Sequence, residues 1–300
     1  MDTNEYLQKV LASQDLPDDS VELKALQSHR KDVEDLLRKH FAKSSPTIRY
    51  GGSKAKGTLI RDAYDLDIAC YFPHDDTAGG ATLKDIYNNV AAALGNNYYL
   101  DKKTSAIRIK SRDSQTYATD FHIDVVPGRY TDSKKSDTFL YQSSSEKERL
   151  KTNLDVHIKH VKDSGVVDAI RLLKLWKTRR GLRVKQFVFE LLIIDLLSKK
   201  KKATLANQLL HVWTELRDRD EAPAVEDPAN PTGNDLTPLL KAEWASLSAA
   251  ATSTLTSIET SGWETVFGKI DERSAADNVA ALRTAAATVS APSKPWSPHE

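Results

Sequence analysis

Leu66 to Phe72 reads LDIACYF, a run rich in aliphatic and aromatic side chains and broken only by Asp67. So short a run is a strand candidate. In a strand, residues two apart point to the same side, so Asp65 and Asp67 present both carboxylates to one place at its start. Two like charges that close need a partner. A hard divalent cation such as magnesium, which prefers carboxylate and phosphate oxygens, is the economical one. Just upstream, Gly51-Gly52-Ser53 reads as a turn with little side-chain bulk, through which backbone N–H groups and the serine hydroxyl can approach a phosphate. Phosphate and metal then meet. The pattern is short, however, and it also suits a surface strand entry beside an ordinary glycine turn.

A third acid tips the balance. In YATDFHIDVVPG, Asp124 lies in a strand-like apolar run between Ile123 and Val125-Val126. A carboxylate there is costly unless it is paired, hydrogen-bonded or bound to metal. Three aspartates converging from two neighbouring strands would hold two metal ions, one lowering the pKa of an attacking hydroxyl and the other stabilising a departing pyrophosphate. That is the chemistry of nucleotidyl transfer. Asp120 shares a strand face with Asp124 and competes as third ligand; Asp124 is preferred for its more apolar neighbours. His122, between Phe121 and Ile123, reads as a packed or half-exposed side chain, and Cys70 as a small core residue.

Around this region the chain divides in character. VELKALQSHRKDVEDLLRKHF, from Val21, carries apolar residues at helical spacing behind the capping candidates Asp18, Asp19 and Ser20. Pro46 closes that helix, and AIRIKS and YATDFHIDVVP join LDIACYF as strands. After YQSSSEKE the pattern changes. Val166 to Arg180, Phe187 to Ser198, Leu205 to Arg219 and Leu236 to about Thr260 suit helices, with no convincing strand among them. The boundary is expected near residue 165, giving segments 1–165 and 166–289. VSAPSKPWSPHE holds three prolines and suggests an exposed tail, 290–300, on which a partner could dock.

Charge and cysteine content narrow the chemistry. Forty-three basic and forty-two acidic residues leave a formal charge of +1, so no global basic field drives stable nucleic-acid binding. Phosphate binding must be local. The run Lys199 to Lys202 follows a helix end, where a solvated basic terminus is the ordinary outcome. A single cysteine excludes an intramolecular disulfide framework and a cysteine-rich zinc site. A polar N-terminus and the lack of a long apolar window lead to the expectation of a cytoplasmic protein without a membrane segment.

Together these motifs resemble a known group. Gly52-Ser53, Asp65-Leu66-Asp67 and the IDVVP strand with Asp124 resemble the three-part signature of the DNA polymerase β-like nucleotidyltransferase superfamily. AIRLLKLWK (Ala169 to Lys177), followed by QFVFELL (Gln186 to Leu192), resembles the helical pair of oligoadenylate synthetases and of the bacterial cyclic-oligonucleotide synthases related to cyclic GMP-AMP synthase, the CD-NTases. EDPANPTGND (Glu226 to Asp235) is similar to their DP-x-x-PT-x-N segment. These matches span roughly residues 50 to 240 in the expected order.

The resemblance implies a mixed α/β fold: a polymerase β-like nucleotidyltransferase lobe with a long N-terminal spine helix, and an all-helical C-terminal lobe closing over a nucleotide cleft. It implies two magnesium ions, with manganese as a substitute, on Asp65, Asp67 and Asp124, which are the expected catalytic residues. Gly52, Ser53 and Lys174 would hold the donor triphosphate. At about 3.6 residues per turn, Lys174 and Lys177 share one stripe of their helix and would face the cleft. Phe187 falls where relatives carry an aromatic residue that stacks on the base. Many relatives have a serine just before it; this chain has Gln186. The implied activity takes nucleoside triphosphates, ATP among them, and builds a cyclic di- or trinucleotide messenger that activates a separately encoded effector in bacterial anti-phage (CBASS) signalling. Two alternatives stay open: a linear oligoadenylate synthetase or a transferase acting on RNA or a small molecule, and a nucleotide-binding protein without catalysis.

Overall fold

The computed structural model describes residues 1–63, 66–112, 123–143 and 148–270. Asp65, Asp120, His122 and the tail 290–300 lie outside the described residues. In chain order the elements are α1 (Thr3–Ser13), α2 (Val21–His40), β1 (Thr47–Tyr50), α3 (Gly52–Lys56), β2 (Leu66–Phe72), α4 (Leu83–Gly95), β3 (Tyr98–Lys102), β4 (Ile107–Ser111), β5 (Ile123–Tyr130), β6 (Thr138–Tyr141) and β7 (Arg149–Thr152). Helices follow: α5 (Leu154–Lys162), α6 (Val167–Arg179), α7 (Gln186–Leu196), α8 (Leu205–Asp218), α9 (Thr237–Lys241), α10 (Trp244–Ser261) and α11 (Glu264–Phe267). Met1–Phe267 pack as one unit.

Local chemistry accounts for the principal boundaries. Ser20 caps α2 by accepting a bond from Leu23 N, and Thr82 and Asp85 form a reciprocal capping box at α4. Gly51-Gly52-Ser53, expected as a turn, instead opens the short helix α3, which ends at Gly57 in the left-handed region. The span expected as one helix from Leu236 breaks into α9 and α10. Helices α1, α4, α5 and α11 and strands β1, β3, β6 and β7 were not anticipated from the sequence.

Among the described residues seven strands form one mixed sheet in the order β1-β2-β5-β4-β3, with β6 on β5 and β7 on β6. Strands β2 and β5 are parallel neighbours, and the other pairs are antiparallel. Strand parity then sorts the side chains. Leu66, Ile68, Cys70 and Phe72 of β2, Ile107 and Ile109 of β4, and Ile123 and Val125 of β5 pack with Leu26, Val33 and Leu37 of α2 and Ile86, Val90 and Leu94 of α4. Asp67, Arg108 and Asp124 occupy the alternate positions, so they leave the sheet on its other face.

The helices after β7 have their own aromatic core. Trp176 of α6 packs against Phe189 of α7 and Trp213 of α8, and its indole N–H donates to Thr254 Oγ1 of α10 at 2.8 Å. The N-terminal α1 joins this assembly: it packs on α6 and α8, and Asn4 Oδ1 accepts from the backbone N–H of Ala206.

Candidate active site

The pairing of β2 with β5 sets Asp67 directly beside Asp124 in parallel register. Both side chains leave the sheet face opposite α2 and α4. Antiparallel β4 places Arg108 opposite Asp124 on the other side, and the guanidinium grips the carboxylate at both oxygens, Nε to Oδ1 at 2.7 Å and Nη2 to Oδ2 at 2.8 Å. Lys103 Nζ lies 3.8 Å from Oδ2. The buried-strand aspartate is therefore paired with charge, as its apolar neighbours demanded.

The backbone before β2 closes on Asp67. Gly51 N–H donates to Asp67 O at 3.0 Å, and Gly52 adopts φ +69°, a conformation that L side chains rarely take. A Cβ at Gly52 would overlap the Asp67 carboxylate, 3.0 Å from Cγ and nearer still to Oδ2. Next to it, Ser53 is buried, and its hydroxyl has no hydrogen-bond partner among the described residues. A buried unpaired hydroxyl is costly, so this one suits an incoming ligand oxygen.

Helices α6 and α7 supply the opposite wall. A cavity of about 360 Å³ is lined by Gly52, Ser53, Lys56, Ala63, Asp67 and Arg108 from the sheet side and by Lys174, Lys177, Thr178, Gln186 and Phe187 from the helices. Lys174 is buried and donates to Thr58 O at 3.4 Å, while Lys177 Nζ donates to Gln186 Oε1 at 3.3 Å. Beneath the wall, Glu190 is fully buried: its carboxylate accepts from Lys56 Nζ at 2.5 Å and Thr58 Oγ1 at 3.0 Å. That ion pair fastens α3 to α7. Phe187, half-buried on the wall, packs against the His157 ring, and Lys56 Nζ stands 5.2 Å from its centroid.

Two adjacent carboxylates, a buried hydroxyl seeking a partner and a glycine whose side chain would fill the cradle fit a divalent cation carrying phosphate. Among the described residues no group of three histidine, cysteine or acidic side chains is close enough to hold a metal. Of the eight residues expected at the site, Gly52, Ser53, Asp67, Lys174, Lys177 and Phe187 line the cavity and Asp124 stands beside Asp67; Asp65 is outside the described residues. Sequence reasoning missed Arg108, Lys56 and Glu190. The alternation Ile107-Arg108-Ile109 signals that Arg108 leaves the apolar face, yet only the β4–β5 register gives it Asp124.

No family model matches the chain, and no curated protein matches it in sequence. Solved structures do match in fold. CdnG of Bradyrhizobium diazoefficiens, a CD-NTase in complex with GTP, superposes with a TM-score of 0.66 at 14% identity, covering 95% of this chain and 98% of that one. CdnC of Escherichia coli MS115-1, solved in a complex with a HORMA protein, gives 0.64 at 19% identity over 89% and 97%. DncV of Vibrio cholerae, a cyclic AMP-GMP synthase with nonhydrolyzable GTP, gives 0.60 at 17% identity over 89% and 80%. The chain thus shares the mixed α/β fold of these solved structures.

Proposed function

We propose that this chain is a nucleotidyltransferase that joins ribonucleotides into a cyclic di- or trinucleotide messenger and releases pyrophosphate. The observation that carries the reading is the adjacency of Asp67 and Asp124 on the face that meets Gly52 and Ser53, with Lys174 and Lys177 across the cavity. Asp67 and Asp124, joined on sequence grounds by Asp65, would hold two magnesium ions, with manganese as a substitute. The metals would supply Lewis acidity, easing loss of the proton from an attacking ribose hydroxyl and stabilising charge on the leaving pyrophosphate.

The chain's own groups do the rest. Ser53 Oγ–H donates to a phosphate oxygen of the donor, and the absence of a side chain at Gly52 lets that phosphate come close. Lys174 and Lys177 neutralise the triphosphate from the helical side. Phe187 offers its ring to the base, a contact that tolerates any base. Asp124 orients the attacking hydroxyl. Substrates are nucleoside triphosphates, ATP and GTP first, in keeping with the nucleotides named for the structural neighbours. No helix of the described residues is long and apolar enough to cross a membrane, and we assign the activity to the cytoplasm, where the product would act on a separately encoded effector in CBASS-type anti-phage signalling.

One observation favours the rival reading of a nucleotide-binding protein without catalysis. The bidentate Arg108 contact already neutralises Asp124, and a carboxylate so held binds a cation less strongly. Incubation with magnesium and four labelled ribonucleoside triphosphates, followed by phosphatase, separates the readings. The proposal expects a phosphatase-resistant product of cyclic mass. A phosphatase-sensitive ladder would identify a linear synthetase, and nucleotide binding without turnover in magnesium or manganese would identify the binding protein.

A further inference from the structure

The segment Glu226 to Asp235 is a loop held together by its own hydrogen bonds. Glu226 and Asp235 close it with an isolated antiparallel bridge. Inside, Asp227 is 2% exposed, and its carboxylate accepts three bonds: from Ala229 N–H at 2.8 Å, from Asn234 Nδ2 at 2.8 Å and from His157 Nε2 at 2.6 Å. Two of these fold the loop on itself. The third reaches 70 residues back along the chain, to α5.

A carboxylate acceptor fixes the imidazole. Nε2 must carry the proton it donates, and the ring cannot turn without leaving a buried charge short of a partner. The same ring meets Phe187, with centroids 4.4 Å apart and planes at 44°. Helix α5 itself packs on both α3 and α7, the elements that bear Ser53 and Phe187. A phenyl ring on a cavity wall turns readily about its side-chain bonds unless a neighbour blocks it. Stacking on a base requires one plane.

We infer that Asp227, acting through the His157 imidazole, sets the plane of the Phe187 ring, so that the 226–235 loop governs how tightly a nucleobase is held without touching it. His157 and Asp227 are positioning residues. The inference rests on the reading of Phe187 as a base-stacking residue. It separates binding of the base from binding of the phosphates, because neither residue lines the cavity beside Ser53, Lys174 and Lys177.

The test is calorimetric titration, with magnesium, of a nonhydrolysable ATP analogue and of inorganic tripolyphosphate into His157→Ala, Asp227→Asn, Phe187→Leu and His157→Ala/Phe187→Leu. Losing the order of one side chain weakens the analogue about two- to tenfold in His157→Ala and Asp227→Asn, while tripolyphosphate binds as in the wild type. In the Phe187→Leu background, His157→Ala adds nothing. Equal weakening of tripolyphosphate, or additive losses in the double variant, overturns the inference. If Phe187→Leu weakens the analogue and His157→Ala does not, the inference alone falls; if Phe187→Leu binds it as the wild type does, the stacking reading falls with it. Should the buried Asp227→Asn fail to fold, His157→Ala still decides, since its side chain is 19% exposed.

Discussion

Gly52 and Asp67 are locked together: the backbone of Gly52, at φ +69°, lies so close to the Asp67 carboxylate that any β-carbon there would overlap it. The contact joins the start of α3 to the carboxylate pair, and it makes glycine a requirement at this position on two grounds, conformation and space.

Gly52→Ala should therefore lose stability and site geometry at once. The left-handed backbone alone costs an L residue about 1–2 kcal/mol, and relief of the overlap must displace the Asp67 carboxylate. The expected result is a lower thermal midpoint together with loss of nucleotide binding. Wild-type binding in a folded Gly52→Ala protein would show that the close approach has no functional part.

The Lys56–Glu190 pair, with Glu190 fully buried, ties α3 to α7. Removing one partner of such a pair strands the other charge and costs about 3–5 kcal/mol. Glu190→Leu and Lys56→Met should each unfold at clearly lower denaturant, whereas Lys56→Met/Glu190→Leu should recover part of the loss. Chemical denaturation of the four proteins as a double-mutant cycle reads the coupling directly.

Acid should weaken the fold through its paired carboxylates. Burial alone would push Asp227 up, but the bonds from His157, Asn234 and the Ala229 N–H outweigh it, and its pKa falls below the ordinary 3.8. The hydrogen bonds from Arg49 and Lys151 lower Asp155 and Asp137 in the same direction. A depressed folded-state pKa contributes stability that is present above the unfolded value and lost as pH falls through the folded one. Unfolding free energy should thus hold from about pH 7 to about pH 5 on account of these groups and drop below about pH 4. The gap between wild type and Asp227→Asn should shrink over that same acid range, as measured by denaturation at stepped pH.

Local pattern carried part of the candidate site. The apolar runs of β2 and β5 marked both as strands and parity set Asp65 with Asp67, but that Asp67 lies beside Asp124 took the β2–β5 register; the helical spacing of α6 put Lys174 and Lys177 on one stripe. The partners of those residues were not legible. Arg108 meets Asp124 only through the β4–β5 register, and Lys56 meets Glu190 across 134 residues of chain. Helix α4 could have been read from Ile86, Val90 and Leu94, which recur at four-residue intervals; β6 and β7, four residues each, are too short for a periodic signal. Pattern within one element reports which way side chains point, and contact between distant elements needs the fold.

The central claim is that Asp67 and Asp124 serve nucleotidyl transfer, and the release of pyrophosphate from ribonucleoside triphosphates in magnesium tests it without assuming a product. The wild type should release pyrophosphate, and Asp67→Asn and Asp124→Asn, each still folded by circular dichroism, should lose about a hundred- to a thousandfold, in line with the weight of electrostatic stabilisation at such sites. Pyrophosphate release that survives both substitutions, or its absence from the wild type in magnesium and in manganese, would contradict it.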